Sequence, residues 1–515
     1  MMRNMRLCAK LFMSFNALIH VLVFLTSMPL FAPITNLTNN DVYPMYSPVF
    51  PCDYLTRNER YYYIDGLDSF CQERFQIAIS PFRQSADSGT DICKKKVPLG
   101  DLTGRWNIPA LFYPQQYGNP EEITEVQSNL FAALDAVGPA TEPVSTDLTT
   151  TCSAIINPLY SDIEHRFGFF DVDIKYRKYG LRFQFDFLLY DPIGLRVQTG
   201  FATIKQIPCF TDLTCSATGL ACPAGCSSSG SPDISCCETG YTPDATTNPC
   251  VQNTACIDIY GCYCKQIMID KVMKQIETIA NTLNMNIDRM QSQGFEDTRV
   301  TLFFRRPYAI NADRDDWHFF LCTPYITLDA SFPTGKTPNP TNLFAVPLGN
   351  KGHFGLGTTG GVTFDFVKTV EIGFEFNVTQ FFPKTHSCVP APTYITQAGI
   401  YPETMTVKVS PGLNWNAVFS INAYHFLSRI SAFFQYVFNG HDEDCFKICS
   451  ATTDPANISL KRLVENSKWE SNVVNVGMTY DISPNLALGF LWQSPSARRN
   501  AYKSTTVMLS IVGTF

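Results

Sequence analysis

Charge is scarce in this 515-residue chain. Asp, Glu, Lys and Arg make up 17% of it, against about 25% in an average soluble domain. The balance is a formal −7, which argues against a general nucleic-acid binder. Long apolar runs are also few: beyond residue 32 no stretch reaches about 18 apolar residues, so the body of the chain has no candidate membrane helix. Catalytic spacings are missing. There is no G-x-S-x-G and no H-E-x-x-H, and the seven histidines show no paired spacing, so neither an enzyme nor a cofactor is expected. Repeated C-x-x-C knuckles are missing too, which turns the cysteine-rich part of the chain from zinc toward disulfides, and no metal site is expected.

Aromatic residues and strict alternation are abundant. Phe occurs 40 times and Tyr 23 times, a composition suited to strands with an aromatic outer face. At the C-terminus "TTVMLSIVGTF" sets Val507, Leu509, Ile511, Gly513 and Phe515 on one face, and "LALGFLWQ" does the same with Leu486, Leu488, Phe490 and Trp492. "VNVGMTYDI" repeats the pattern, separated from "LALGFLWQ" by the turn residues Ser483, Pro484 and Asn485. Twelve strands are expected: Glu73–Pro81, Arg166–Arg177, Leu181–Tyr190, Leu195–Lys205, Trp317–Ala330, His353–Val367, Val370–Phe381, Met405–Ile421, Phe426–Phe438, Asn472–Ile482, Leu486–Gln493 and Thr505–Phe515. Arg299–Tyr308 could add another, so the range is 12 to 14, barrels of this kind taking even totals. Within "FDVDIKYRKYGLRFQFDF" a hairpin is expected at Lys178 and Tyr179, placing Lys175 opposite Arg182 and Asp171 opposite Asp186.

Tight links alternate with long ones at Phe332–Lys351, Pro383–Glu403, Asn439–Ser471 and Pro495–Lys503. A soluble sandwich has no reason to sort its links by parity, whereas an outer-membrane barrel has short turns on one side and long loops on the other. The expected fold class is all-β, an antiparallel transmembrane β-barrel with a disulfide-rich insert followed by a short amphipathic helix. Five parts follow along the chain. Residues 1–32, with Arg3, Arg6 and Lys10 before an apolar run, read as a signal peptide to be removed, a retained anchor helix being the alternative. Residues 33–164 hold the first strand and either a plug or a long loop, 165–206 barrel strands, 207–298 the insert and helix, and 299–515 the remaining strands.

The last strand and several segments also carry a family likeness. A final aromatic after alternating apolar residues resembles the signal read by the outer-membrane barrel assembly machinery; Phe515, Ile511, Leu509 and Val507 match it, and Gly513 stands where an aromatic is commoner. With "GLDSFCQERF", "NADRDDWHFF", "AYHFLSRISAFFQYV" and "PNLALGFLWQSP", the chain resembles bacterial outer-membrane β-barrel proteins of the porin-like kind, in particular barrel proteins of Dependentiae-type bacteria. That resemblance implies location in the cell outer membrane, contact with its lipid, and small solutes rather than nucleic acid as partners. It leaves the oligomeric state open.

Candidate sites follow from this frame. Asp171, Asp173, Lys175, Arg177, Arg182, Gln184, Asp186, Arg196, Gln198, Glu371, Glu375, Lys408 and Asn416 are expected to line the lumen, where mixed charges either filter solutes or neutralise one another in a plugged bore. Cys209, Cys215, Cys222, Cys226, Cys236, Cys237, Cys250, Cys256, Cys262 and Cys264 fall in a segment too rich in Gly, Ser, Thr and Pro to build a core, so disulfides are expected to staple it. Removing Cys8 with the leader leaves 18 of 19 cysteines, an even number. Ile269, Val272, Ile276, Ile279 and Leu283 at helical spacing form a stripe for packing or self-association. In "GHDEDCFKICS" a loop closed by Cys445 and Cys449 carries His441, Asp442, Glu443 and Asp444, without the spacing of a calcium loop. "GLGTTGG" lacks the lysine of a phosphate loop and reads as part of a strand. The function expected is a porin-like channel for small solutes. The alternatives are a structural or adhesive cysteine-rich envelope protein and a plugged carrier for hydrophobic molecules.

Overall fold

The protein is seen in a computed structural model that describes residues 75–102, 106–107, 169–190, 192–212, 278, 280, 286–309, 320–337, 344–366, 370–391, 403–427, 429–451, 458–483 and 485–515. Twelve strands close into one antiparallel barrel. They are β1 (Phe75–Thr90), β2 (Phe169–Tyr190), β3 (Ile193–Asp212), β4 (Thr298–Arg305), β5 (Phe320–Phe332), β6 (Gly355–Phe366), β7 (Val370–Phe381), β8 (Asn414–Leu427), β9 (Ile430–His441), β10 (Trp469–Ser483), β11 (Leu486–Arg499) and β12 (Ala501–Thr514). Strand β1 pairs with β12 on one side and β2 on the other. At this seam the Phe515 N–H donates to Phe75 O at 2.8 Å and the Phe75 N–H to Phe515 O at 3.2 Å. Closure leaves no open ladder for hydrocarbon to strand.

The expected hairpin at Lys178 and Tyr179 is absent, because Phe169–Tyr190 is one continuous 22-residue strand paired along its length with β3. What looked like a turn is an inversion of polarity. Even-numbered residues face inward throughout, running from Val172, Ile174 and Tyr176 to Lys178, Arg182, Gln184 and Asp186, all buried. Odd-numbered residues face outward and switch the other way, from the charged Asp173, Lys175 and Arg177 to the apolar Tyr179, Leu181 and Phe187. A hairpin and a phase inversion produce the same string of alternation. From Tyr179 to Leu189 the outward apolar face covers about 33 Å of strand, or about 25 Å along the membrane normal at a tilt of about 40°, which matches the apolar band of a membrane barrel. Above it β2 leaves the lipid. There the 3₁₀ turn Leu99–Asp101 covers its inner face, with Leu99 and Leu102 buried and the Val172 N–H donating to Asp101 Oδ1 at 3.1 Å.

Arg299–Tyr308 does contribute a barrel strand, Thr298–Arg305, so twelve is reached with one split too many and one strand restored. Met290–Phe295 continues the pairing along β3. Between the pairs Phe201–Phe295 and Gln198–Arg299, β3 supplies two residues and its partner three, a β-bulge. The bulge breaks alternation, so the consecutive acids Glu296 and Asp297 are both buried. Met405–Ile421 also divides: Glu403–Ser410 belongs to a separate three-stranded sheet with Lys384–Ala391 and Cys445–Ala451, and the barrel resumes at Asn414. Helix α1 (Leu460–Ser467) packs Leu463 with Val389, Ala391, Met405, Val407, Val409 and Ile458 into a small core of this loop unit.

Long connections gather where β1, β3, β5, β7 and β9 end, and most short ones at the opposite end. The long link expected at Pro495–Lys503 is instead the single residue Asn500, at φ +54, whose side chain donates to Asn466 O and Lys468 O at 2.8 Å. The disulfide expectation finds no support where it can be followed: Cys209, Cys445 and Cys449 are free thiols. Cys445 and Cys449 lie on one strand, four residues or about 13 Å apart, too far for a bridge. Cys215, Cys222, Cys226, Cys236, Cys237, Cys250, Cys256, Cys262 and Cys264 lie outside the described residues, as do residues 1–32. The stripe residues Ile269, Val272, Ile276, Ile279 and Leu283 lie outside the described residues too; Thr278 and Ala280, beside them, are helical.

Gly361 shows how tightly the wall is packed. It stands opposite Tyr325 on β5, and a Cβ there would come 2.3 Å from the Tyr325 ring carbon Cζ, which fills the space the glycine leaves. Replacing Gly361 with Val is expected to push the ring off its place and cost about 1–3 kcal/mol. The check is the temperature at which the folded barrel loses its heat-modifiable mobility in detergent; an unchanged temperature refutes the packing role.

Candidate functional site

Alternation gives each strand one lipid-facing and one lumen-facing set, and the lumen set is rich in polar groups, with apolar side chains such as Phe82, Phe433 and Met508 and the cluster of Ala78, Ala487 and Val512 among them. It is also unevenly charged. Buried Lys178, Arg182, Asp186, Arg196, Arg299, Asp329, Asp365, Glu371 and Glu375 all lie on β2–β7. The buried residues of β8–β12 and β1 include no Asp, Glu, Lys or Arg; there amides and hydroxyls such as Asn416, Ser420, Gln435, Asn475, Thr506, Ser510 and Gln76 alternate with apolar groups such as Val418, Phe433, Met508 and Val512.

The charges of the first wall are paired along it. Arg196 holds Asp186 in a fork, Nε to Oδ1 at 2.7 Å and Nη2 to Oδ2 at 3.1 Å, while Gln184 and Gln76 donate to the same carboxylate at 2.8 and 3.0 Å. Gln198 donates onward to Gln184 at 2.9 Å. One layer nearer the long-loop end, Arg182 forks onto Glu296 at 3.0 and 3.1 Å, and Lys178 reaches Glu296 at 2.7 Å. The Arg182 guanidinium also lies 3.9 Å from the centre of the Phe82 ring. Gly200 makes this possible, since a Cβ there would meet Glu296 Oε2 at 2.2 Å. Farther round, Arg299 and the Thr301 and Thr327 hydroxyls satisfy Asp329, Tyr325 donates to Glu375 at 2.7 Å, and Asn422 donates to Glu371 at 2.6 Å. The neutral wall joins through Asn416 to Asn377 and Asn377 to Thr359, at 3.2 and 2.7 Å.

Arg182, Gln184, Asp186, Arg196, Gln198, Glu371, Glu375 and Asn416 are buried on the inward side of their strands. Asp171, Asp173, Lys175 and Arg177 are not. They sit on the outward face of β2 beyond the lipid band, where the phase inversion puts charge outside. Lys408 is exposed on the three-stranded loop sheet and lines no part of the barrel. Glu296 and Lys178 were not anticipated, the first because the bulge hides it in a loop-like "GFEDT" and the second because it stood at the supposed turn. The wall is also covered: Gln76, Asp186 and Thr359 have no accessible surface and Gln435 has 1%.

Two histidines unpaired in sequence meet in space at the long-loop end. His353 Nδ1 lies 2.8 Å from Phe382 O, an acceptor only, so it carries the proton and its Nε2 accepts from His386 Nε2 at 3.0 Å. Burial holds both rings neutral, His353 down to about 4 and His386 to about 3, and the cations Lys351 and Lys384 push the same way. In the acidic loop, Asp444 hydrogen-bonds His441, which also bonds Asn414, and Lys468 reaches Glu443 at 3.4 Å. Among the described residues no group of three or more metal-ligating side chains occurs.

No family model matches the sequence, and no curated protein does. Among solved structures, the chain is similar to an outer membrane channel from Pseudomonas putida F1, with 8% identity, TM-score 0.40, and 91% of this chain and 100% of that one covered. It is similar also to the transport unit of the autotransporter AIDA-I from Escherichia coli, with 8% identity, TM-score 0.32 and coverage of 90% and 97%. The Ralstonia pickettii toluene transporter TbuX gives 9% identity, TM-score 0.29 and coverage of 86% and 90%. The molecule's class rests on its own architecture. A closed antiparallel sheet, apolar outside and polar inside, is a membrane-spanning β-barrel. Its sorting of long and short connections to opposite ends is that of the outer-membrane kind.

Replacing Glu296 with Gln leaves Lys178 and Arg182 buried without their counter-charge, which is expected to cost about 3–5 kcal/mol. Chemical unfolding in detergent micelles measures it, and a loss below about 1 kcal/mol contradicts the assignment. The histidine pair sets a pH response. Both folded-state values lie below the ordinary 6.5, so the unfolded segment binds more protons as pH falls; the stability of this junction is complete above about 6.5 and is lost on the way down toward 4 and then 3. Amide exchange in Lys384–Ala391 is expected to accelerate over that window, and His386→Gln to flatten the response.

Proposed function

We propose that the protein is a porin-like outer-membrane channel passing small polar solutes. The observation that carries this reading is the polar lining continued around all twelve strands beneath an apolar exterior. A polar solute can exchange water for the amides and hydroxyls of β8–β12. Secretion with removal of residues 1–32 belongs to the same reading, as does insertion by the barrel assembly machinery. Phe515, Ile511, Leu509 and Val507 all project outward from β12, where a recognition factor could read them before lipid covers them. The cysteine-rich insert joins β3 to β4 at their long-loop ends and so, on this reading, shapes the outer mouth.

The plugged-carrier reading has in its favour an apolar cluster on the inner wall, Ala78, Ala487 and Val512. The lumen wall is covered, and Leu99 and Leu102 fold onto the inner face of β2 at the mouth. Planar-bilayer recording of the refolded protein separates the two. Discrete steps are expected from the channel, and Arg196→Ala, which removes the cation held against Asp186, is expected to shift the reversal potential toward cation selectivity. A folded, inserted protein that gives no steps, yet transfers an apolar dye between vesicles, overturns the channel in favour of the carrier.

A further inference from the structure

The outer surface just beyond the lipid band is not uniform. On β1–β3 it carries basic residues in rows set by the strand register. Arg83 pairs with Tyr179 and Tyr179 with Thr203; one row farther from the lipid, Ser85 pairs with Arg177 and Arg177 with Lys205. Arg177 and Lys205 are thus direct cross-strand neighbours of like charge on the same outward face, an arrangement that repels unless something negative lies over it. With strands about 4.8 Å apart and rows about 7 Å apart, Arg83, Arg177 and Lys205 fall within reach of one small anion. Among the described residues none of the three has an ion-pair partner. Lys205 instead holds its ammonium 5.6 Å from the centre of the Tyr179 ring, leaning toward the lipid edge.

Directly beneath this cluster the outward positions are Pro81, Leu181 and Phe201, paired side by side, with Leu181 and Phe201 more than two-fifths exposed. The acids of the sector, Asp87, Asp171 and Asp173, lie farther out than Arg83 and Arg177 on the same strands. Polarity therefore changes in order from apolar to basic to mixed charge on leaving the membrane. A site for a free solute anion gains nothing from an apolar floor that lipid chains cover. A lipid headgroup needs both, because its acyl chains must lie against Leu181 and Phe201 while its phosphate sits above them.

We propose that Arg83, Arg177 and Lys205 bind the phosphate of an anionic lipid in the outer leaflet, with Tyr179 at the headgroup level and Lys175 on the rim. The site rests on the membrane-barrel architecture and not on conduction, so it stands whether the lumen is open or plugged. It anchors the sector in which β2 and β3 rise farthest from the bilayer.

The test uses the full-length protein folded in detergent and titrated with lipid A, a phosphorylated glycolipid, or with zwitterionic phosphatidylcholine, adducts being counted by native mass spectrometry. The expected result is a lipid A adduct that phosphatidylcholine does not form. The triple variant Arg83→Gln, Arg177→Gln, Lys205→Gln is expected to weaken it about 100-fold, roughly a factor of five for each charge. The pair Asp87→Asn, Asp173→Asn should retain the adduct. Equal lipid A binding by the triple variant overturns the site, and so does full displacement by an equal concentration of inorganic phosphate. Heat-modifiable mobility reports separately on the barrel: its absence in the unmodified protein would refute the architecture, whereas its presence in the triple variant shows that lost binding is not lost folding.

Discussion

Hydrocarbon offers a backbone amide no partner, and each one left open costs several kcal/mol. The seam between β1 and its neighbours β12 and β2 is where this chain meets that demand. With the ring closed, the period of two along every strand has only one meaning: one set of side chains lies in lipid and the other in a lumen. The lipid set then has to be apolar, as Leu509, Ile511 and Phe374 are. The lumen set has to find its partners inside, which produces the chains of bonds from Arg196 through Asp186 to Gln76. Closure comes first, and the composition of both faces follows from it.

That dependence explains what could be read in the sequence. The C-terminal hairpins are legible because each strand there lies almost wholly within the membrane, so one alternation phase holds from turn to turn. The lipid-facing set Val507, Leu509, Ile511 and Phe515 was visible for this reason, and so was the turn at Pro484 and Asn485. Phe169–Tyr190 defeats the same reasoning because it crosses a boundary between solvents. Where the outside changes from water to lipid and the inside from Leu99 to a polar lumen, the apolar face must change sides without any turn. A reversed phase inside an unbroken run with one glycine, Gly180, was thus a membrane boundary.

Other features were illegible for a different reason, since they depend on contacts distant in sequence. The bulge at Glu296 and Asp297 is defined only by what β3 places opposite it, and Glu296 acquires its role only when Gly200 gives it room. His353 and His386 are 33 residues apart and meet because the β5–β6 loop and the loop sheet converge. Periodicity could not separate Glu403–Ser410 from β8, because a strand packed on the small core around Val407 alternates just as a barrel strand does.

The division of the lumen into a charged wall and a neutral one has an energetic basis. Bringing an isolated charge into a narrow bore costs several kcal/mol, so charges are tolerable there only in contact with counter-charges and donors. Neighbouring strands lie only about 4.8 Å apart, so pairing along one wall meets that condition whatever the width of the bore. Pairing across the lumen would meet it only by shutting the bore. Asp186 with Arg196 and Asp329 with Arg299 are pairs of the first kind. Such charges largely neutralise each other, leaving the opposite side to the amides and hydroxyls of Asn, Gln, Ser and Thr and to apolar groups such as Val418 and Met508. A wall built this way carries little uncompensated charge, because Asp186, Asp329, Glu371 and Glu375 are each held by basic side chains or by hydrogen-bond donors of the same wall.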